Sequence, residues 1–479
     1  MAAAKPGRPP LRAIAAVAVG KAFGMASRRL GRGGGTALPG VVAQRLDPRL
    51  ASRLARQLGR GRAIVTGTNG KTTTARMLAG IAAAAGAAPV HNRSGSNLMR
   101  GIGTALLEAA AFDGRIRHAG RRCGIFEVDE ATMPAAIRAL RPGVVLYANL
   151  FRDQLDRYGE VDSILSLWRR SLGQLPAGTT LVLNADDPSV AGLADGYGGP
   201  VLWFGVDVIA GDEAHQRASA GAEHAADARW CHACGAEYLY EPIYFGHIGH
   251  WRCPGCGRKR PEPQIRITDI RADVAAGGQR LEVDACGQRL AFRLPLDGLY
   301  NAYNAVAALA GARALGFDSA LAARTLAGFS AAFGRQERVT LAGRELRLLL
   351  CKNPAGMNQA LAAVLADDRP LHLLIALNDG VQDGRDISWI WDVDFERLAG
   401  RAASVVVCGS RAADLALRLK YAGLQGGIAV ERQAAAALDR ALAQTPAAAR
   451  LYVLPTYTAM LALRGLIARQ GGGPAFWRQ

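Results

Sequence analysis

The sequence predicts an α/β protein with two domains, each built on a largely parallel sheet that helices cover. Short β-branched or apolar runs alternate with helical patterns from residue 63 onward, which is typical of a doubly wound sheet. A second alternation opens near residue 335. Two Cys-x-x-Cys pairs interrupt the first alternation at about 222–262. We therefore expect a basic N-terminal helical segment at 1–58, a central domain at 59–334 with the cysteine module inserted, and a C-terminal domain at 335–479.

The elements of both domains follow from residue type. Residues 63–66 form a β-branched run, glycines follow, and 72–85 have a helical pattern. The further strands predicted for the central domain are 124–128, 144–148 and 180–183. The C-terminal region repeats this order, which predicts a Rossmann-like α/β domain, with strands at 371–376, 404–408 and 450–454.

Composition excludes several classes of protein. Half of the 479 residues are hydrophobic and 20% are charged, so the chain can build large cores and is not disordered as a whole. Its 57 glycines follow no triplet period, which excludes fibrous classes. The net charge of +18 predicts an acidic partner, namely nucleic acid, anionic lipid or a phosphorylated substrate, although a basic surface without a partner is the alternative.

The N-terminal 58 residues can form two helices but no domain of their own. The apolar stretch 13–25 is interrupted by Lys21 and is shorter than a membrane span, and 27–32 is a poor signal-peptide cleavage site. A basic helix on a membrane surface fits better. The eight cysteines are unevenly spaced, which predicts a metal site plus free thiols in a reducing compartment. We therefore expect a cytoplasmic protein at the periphery of the inner face of the cell membrane.

A glycine-rich loop between the first strand and helix predicts a phosphate site. Glycine lets backbone N–H groups approach phosphate oxygens, and a helix N-terminus favours negative charge. Lys71 can reach the β- and γ-phosphates, and the hydroxyl of Thr72 is the usual Mg²⁺ ligand. Val65 stands where the common eight-residue phosphate loop has its first glycine, and a purely structural turn is the alternative. The candidate residues are Gly67, Thr68, Asn69, Gly70, Lys71, Thr72 and Thr73.

This loop resembles the ATP loop of the Mur ligase superfamily, whose members activate a carboxylate as an acyl phosphate that an amine then attacks. Further matches follow in the order typical of that family, and by resemblance they imply ATP and Mg²⁺. Glu127 corresponds to the Mg²⁺-binding glutamate, and Asn301, within 298–304, to an adenine contact. The other matching residues are Asn149 in 149–156, where Gln154 replaces a histidine, Asn184 and Asp187 in 184–187, and Arg335 in the hinge 334–337.

Two departures from the family pattern narrow the range of possible substrates. Several Mur ligases carry a carbamoylated lysine nine residues after the position of Gly159, and Trp168 stands there. The roughly 60 residues before the loop are too few for a domain that grips a uridine nucleotide. We therefore expect a substrate other than a soluble UDP-linked precursor.

The Cys-x-x-Cys pairs are separated by 18 residues, within the spacing of zinc ribbons. Four thiolates suit tetrahedral Zn²⁺ and leave no open position, so we expect a structural site. A redox or iron–sulfur site is the alternative. A nucleic-acid-binding module, suggested by the basic residues 258–260, lacks interleaved aromatic residues, so we expect no nucleic-acid partner. The predicted ligands are Cys231, Cys234, Cys253 and Cys256, with His232, His247 and His250 as spare ligands.

Residues 378–396 contain five aspartates and two tryptophans. Together with 352–359 and 454–460, this segment resembles the ligase subunits of lipid II isoglutaminyl synthases. The resemblance implies ATP-dependent amidation of the α-carboxyl of D-glutamate in the lipid II stem peptide. It also implies ammonia delivery by a separate GatD-type glutaminase subunit. The alternatives are a stand-alone Mur-type or folylpolyglutamate-type amino-acid ligase and a regulatory binding module.

A glutaminase needs a cysteine nucleophile, a histidine and usually an acid that orients the histidine. The hypothesis is that Asp392 supplies this acid in trans, with the neighbouring tryptophans excluding water. Asp386 and Asp394 are alternates, because sequence does not tell which carboxylate points outward.

Overall fold

The protein is described here from a computed structural model. The described residues are 9–29, 38–92, 96–153, 161–207, 227–273, 277–330, 335–424, 426–447 and 449–472. Within them, no helix has both the length and the apolar character that crossing a membrane requires.

The N-terminal segment contains three helices in its described part, where the sequence predicted two. They are α1 (Leu11–Arg29), α2 (Leu38–Leu46) and α3 (Leu50–Ala55). Asp47 and Pro48 separate the last two, since proline disfavours helical backbone at the residue before it. The Asp47 carboxylate then accepts the Arg49 N–H at 3.1 Å.

The central domain is built on a nine-stranded sheet with the order β11-β10-β9-β6-β5-β4-β1-β3-β2. Strands β1 to β6 and β9 are parallel, and β9 to β11 form an antiparallel meander at one edge. The strands are β1 (Arg62–Thr66), β2 (Ala88–His91), β3 (Arg122–Glu127), β4 (Val144–Tyr147), β5 (Thr180–Asn184), β6 (Val201–Val206), β9 (Ile265–Ala272), β10 (Gln279–Ala285) and β11 (Gln288–Leu294). The helices are α4 (Lys71–Ala84), α5 (Met99–Ala109), α6 (Met133–Leu140), α7 (Val161–Leu172), α8 (Pro188–Ala191), α9 (Leu299–Ala314) and α10 (Ser319–Ala327).

The cysteine module contributes an antiparallel hairpin that belongs to neither large sheet. Its strands are β7 (Leu239–Phe245) and β8 (Ile248–Arg252). The part of the insertion at 208–226 lies outside the described residues.

The C-terminal domain has a six-stranded sheet with the order β12-β13-β17-β14-β15-β16, parallel apart from β12. Its strands are β12 (Arg335–Leu341), β13 (Arg344–Leu349), β14 (Leu371–Ala376), β15 (Ala402–Cys408), β16 (Ile428–Glu431) and β17 (Arg450–Pro455). Its helices are α11 (Pro354–Leu365), α12 (Ala412–Tyr421), α13 (Ala434–Gln444) and α14 (Tyr457–Arg469). The predicted α/β fold class with a cysteine insertion is confirmed, while the domain boundaries stay a prediction.

Parallel topology positions the candidate site. Strands β1, β3, β4 and β5 are neighbours in the sheet, so their carboxyl ends share one edge. The phosphate loop follows β1, Glu127 ends β3, Asn149 follows β4 and Asn184 ends β5. Ligands of open α/β sheets bind at this edge.

Candidate functional site

The phosphate loop needs glycine at two positions. Gly67 and Gly70 have φ values of 138° and 80°, a region that side-chain-bearing residues rarely adopt. A Cβ on Gly70 would also lie 2.0 Å from Oδ1 of Asn304 on α9. The loop therefore packs closely on α9 before α4 begins at Lys71.

Asn149 and Thr68 hold the loop against the segment after β4. The Asn69 N–H donates to Oδ1 of Asn149 at 2.9 Å, and Nδ2 of Asn149 donates back to the Asn69 carbonyl at 3.1 Å. The Thr68 hydroxyl donates to the Phe151 carbonyl at 3.0 Å and accepts the Phe151 N–H at 2.9 Å. Asn149 therefore holds the phosphate loop in place through its two hydrogen bonds to Asn69.

Lys71 forms a buried ion pair that the sequence analysis did not assign. Its Nζ lies 2.9 Å from Oε2 of Glu130 and also donates to the carbonyls of Gly67 and Thr68. Burial lowers the pKa of Lys71, but the carboxylates of Glu130 and Asp153 outweigh burial and raise the pKa above its ordinary value. The lysine is therefore held as a cation at the place where phosphate charge would be neutralised.

Glu127 has the properties of a metal ligand. Its side chain is buried at the end of β3, and its Oε2 atom has no hydrogen-bond partner among the described residues. Asn92 fixes its backbone, accepting the Glu127 N–H at 2.9 Å and donating to the Glu127 carbonyl at 2.8 Å. A buried carboxylate oxygen without a donor is costly unless a cation meets it, so the residue fits Mg²⁺.

Trp168 fills the position where several Mur ligases carry a modified lysine. Its side chain is fully buried on α7, and its Nε1 donates to the Glu130 carbonyl at 3.1 Å. Its ring centroid lies 4.9 Å from that of Tyr147. The indole is therefore part of the core beside the Glu130 backbone.

The other residues predicted to contact nucleotide have internal contacts. Asn184 donates to the Ala148 carbonyl at 3.0 Å, and Asp187 accepts the Leu150 N–H at 2.8 Å and caps α8. Asn301 donates to the Asp297 carbonyl at 2.8 Å. Their nucleotide contacts stay predictions. Arg335 begins β12, and its side chain lies outside the described residues.

The turn after β13 brings the C-terminal domain onto the phosphate loop, which the sequence analysis missed. Nδ2 of Asn353 lies 3.1 Å from Oδ1 of Asn69, and Nζ of Lys352 lies 2.5 Å from Oδ2 of Asp153. The Asn353 side chain also caps α11 by accepting the Gly356 N–H at 2.7 Å. The Asn-Pro pair is a recognisable cap signal, but nothing local in the sequence indicates its partner on the loop.

The four cysteines form one cluster, with ligand atoms within 4.8 Å of one another. Each Cys-x-x-Cys turn ends in a glycine with positive φ, 75° at Gly235 and 74° at Gly257. Four thiols at this spacing suit a tetrahedral metal. The three histidines contact other groups. The Nε2 atom of His250 lies 2.8 Å from the Val206 carbonyl, the ring centroid of His247 lies 4.4 Å from that of Phe151 with the rings tilted, and His232 lies beside Gly192.

The three candidate aspartates of 378–396 differ in their surroundings. Asp394 is buried and exchanges two hydrogen bonds of 2.9 Å with Asn358, so it stabilises the domain. The Asp386 carboxylate accepts the N–H of Ser388, two residues later in the chain, at 2.8 Å. Asp392 is 39% exposed and lies 3.3 Å from Nη1 of Arg152 in the central domain. Asp392 thus makes an ion pair with another domain.

Comparison with known proteins adds family relationships to this geometry. Residues 350–460 match the family model described as MurT ligase C-terminal, and residues 65–224 match the Mur ligase middle domain. The chain is 33% identical to the MurT subunit of the glutamine-hydrolysing lipid II isoglutaminyl synthase of Streptococcus pneumoniae, over 92% of this chain and 93% of that protein.

Solved structures share the fold at lower identity. A pseudomurein peptide ligase type C from Methanothermus fervidus superposes with a TM-score of 0.64 at 20% identity, covering 87% of this chain and 80% of that one. MurF from Thermotoga maritima in complex with ADP gives 0.61 at 15% identity, covering 88% and 83%. At these identities the likeness extends to the fold alone.

Proposed function

This chain belongs to the MurT family, and on that premise we propose that it is the ATP-dependent ligase subunit of a lipid II isoglutaminyl synthase. It amidates the α-carboxyl of D-glutamate in the lipid II stem peptide to give D-isoglutamine. The observation that carries the proposal is the family match along nine-tenths of the chain. The phosphate loop supports the ATP chemistry through buried Lys71 and through the Glu127 carboxylate oxygen that has no partner among the residues the structure describes.

The reaction proceeds in two steps. The glutamate carboxylate attacks the γ-phosphorus of ATP, so that an acyl phosphate forms and ADP leaves. Ammonia then attacks the acyl carbon and phosphate leaves, which gives the amide. Lys71 and the N–H groups at the start of α4 stabilise the phosphate charge that is transferred. Nucleotide binding brings a second anion to Lys71, so the lysine charge is then shared between Glu130 and phosphate.

Two metals fit the described residues. Glu127 and Thr72 would hold Mg²⁺, which neutralises phosphate charge when bound. Cys231, Cys234, Cys253 and Cys256 would hold one structural Zn²⁺. The module also supports the central domain directly, because Nε1 of Trp251 donates to the Ala185 carbonyl at 2.9 Å.

The ammonia comes from a GatD-type glutaminase bound to the C-terminal domain. An exposed aromatic patch there supports a docking role: Trp391 is 49% and Tyr421 72% exposed, and their ring centroids lie 5.8 Å apart. Asp392 adjoins this patch. We assign to it the positioning of the glutaminase histidine in trans, with Asp386 as alternate. We do not propose Asp394 for this role, because its carboxylate is buried and accepts a hydrogen bond from Asn358.

The substrate determines the location of the protein. Lipid II is membrane-anchored and carries a pyrophosphate, so a basic protein that works from the cytoplasmic side meets an anionic surface. The proposed location is therefore the cytoplasmic face of the membrane, in peripheral contact.

The amine donor separates this function from that of an amino-acid-adding ligase. With lipid II and the glutaminase subunit present, we expect phosphate release from ATP with glutamine or ammonium. Free amino acids other than glutamine should give none. Phosphate release that depends on another amino acid, with addition of that amino acid to the substrate, would favour the stand-alone Mur-type or folylpolyglutamate-type ligase.

A further inference from the structure

Helix α1 has an apolar outer face. Its inner face packs through small residues, and a Cβ on Gly20 would lie only 2.8 Å from the Leu107 side chain of α5. Leu11, Val19 and Phe23 are spaced by multiples of four residues and so lie on one side of the helix, and Met25 lies at the edge of that side. The large apolar side chains exposed on α1 are Leu11 (85%), Val19 (45%), Phe23 (43%) and Met25 (45%). Surface helices of soluble proteins normally turn polar residues outward, so this face is unusual.

The loop after α5 extends this apolar face. Phe112 is 52% exposed, and Nζ of Lys21 lies 5.7 Å from its ring centroid. The same loop contacts the start of α1, since a Cβ on Gly114 would lie 3.3 Å from Pro9. We call the four exposed α1 side chains together with Phe112 the apolar stripe.

The charge around the apolar stripe identifies its partner. The first 58 residues contain eleven lysines and arginines and one aspartate, which is +10 of the total +18. Helix α1 itself has no acidic residue. A second copy of the stripe would carry the same positive charge and repel the first, whereas an anionic bilayer offers both an apolar layer and opposite charge.

Contacts connect the apolar stripe to the ATP site. Helix α1 packs on α2, and both contact α5. The Asn97 carbonyl, just before α5, accepts the Asp129 N–H at 3.0 Å. Asp129 directly precedes Glu130, the partner of Lys71. Helix α1 meets α5 at Leu107, near the opposite end of α5 from Asn97, so α5 joins the stripe to the reaction centre within one packed domain.

We propose that the apolar stripe inserts into the headgroup region of an anionic bilayer and holds the ligase on the membrane that contains its substrate. The proposal rests on the lipid II function. In this proposal the N-terminal helices bring the ATP site of the central domain to a substrate that is anchored in the membrane.

Vesicle co-sedimentation of the full chain tests the proposal. We expect tight binding to vesicles containing phosphatidylglycerol, weaker binding at high salt, and little binding to pure phosphatidylcholine. Phe23→Asp and Val19→Asp should each weaken binding to anionic vesicles by about tenfold to a hundredfold, because burial of one large apolar side chain is lost. Val430→Asp is the matched control, since Val430 is 46% exposed in the edge strand β16, and it should bind as the wild type does.

Several outcomes would overturn the proposal. They are equal binding to neutral vesicles, equal weakening by Val430→Asp, and a dimer that the α1 variants dissociate. Turnover of a water-soluble, short-chain lipid II analogue with the glutaminase subunit separates the two claims. Absence of that turnover refutes the proposed function, whereas normal turnover without vesicle binding refutes the membrane contact alone.

Discussion

The phosphate loop and the segment 378–396 both follow buried parallel strands, yet their charged side chains differ in burial and in their partners. At the loop, Lys71 and Glu130 are buried together, and one carboxylate oxygen of Glu127 has no hydrogen-bond partner in the described part of the chain. In the segment, Asp379 and Asp392 each face an arginine at a partly exposed surface. The Ser410 hydroxyl and Arg411 hold the pKa of Asp379 below its usual range, so it remains ionised. The first arrangement suits a small charged ligand, and the second suits another protein surface.

The largest effect is expected from Lys71→Ala. Removal of the cation that faces the transferred phosphate should reduce ATP-dependent turnover by about a hundredfold to a thousandfold with either glutamine or ammonium. The matched control is Arg324→Ala, which removes an exposed cation from α10. Phosphate release measures both variants. Turnover of Lys71→Ala at the level of the control would exclude the loop from the mechanism.

The cysteine cluster should matter more for stability than for chemistry. Cys253→Ser is expected to lose bound zinc and to lower the melting temperature, since metal binding and folding of such modules are coupled. Cys286→Ser, an exposed cysteine outside the cluster, should change neither. Metal analysis and thermal unfolding provide the readouts. A wild-type protein without zinc, or with iron–sulfur absorbance, would contradict the assignment.

A smaller effect is expected at the contact between the domains. Asn353→Ala removes both the α11 cap and the hydrogen bond to Asn69, so it should destabilise the protein by about 1 kcal/mol and reduce turnover. Asp318→Ala removes the α10 cap, which accepts the Leu321 N–H at 2.7 Å, without touching the loop. Comparing melting temperature and KM for ATP separates the two roles. If both variants lose turnover equally, the loop contact has no functional part.

The sequence predicted those parts of the site that consist of residues close together in the chain. Spacing and residue type identify the phosphate loop and the four cysteines, because each set lies within a few residues or two short turns. The contact of Asn353 with Asn69 joins residues 284 apart, and no local pattern indicates it. The ion pair of Glu130 with Lys71 was missed for the same reason, although Glu130 stands three residues after Glu127.

Four of the strands that the sequence did not predict have identifiable physical causes. β2 has only four residues, and β9 to β11 alternate polar and apolar residues at a sheet edge beside the cysteine insertion. Their pairing depends on neighbours in the sheet more than on their own composition. The α/β class was predictable because the central parallel strands are buried on both faces and read as apolar runs.

The separate roles of the phosphate loop and the segment 378–396 can be tested directly with Asp392→Asn in complex with the glutaminase subunit. The variant keeps shape and loses charge, so the complex should still form. We expect amidation of lipid II with glutamine to fall at least about tenfold, as an unoriented histidine is a poor base, and free ammonium to restore it to the wild-type rate. Lys71→Ala should keep its reduced turnover with both donors. Normal glutamine hydrolysis by the Asp392→Asn complex, or failure of ammonium to restore amidation, would contradict the account.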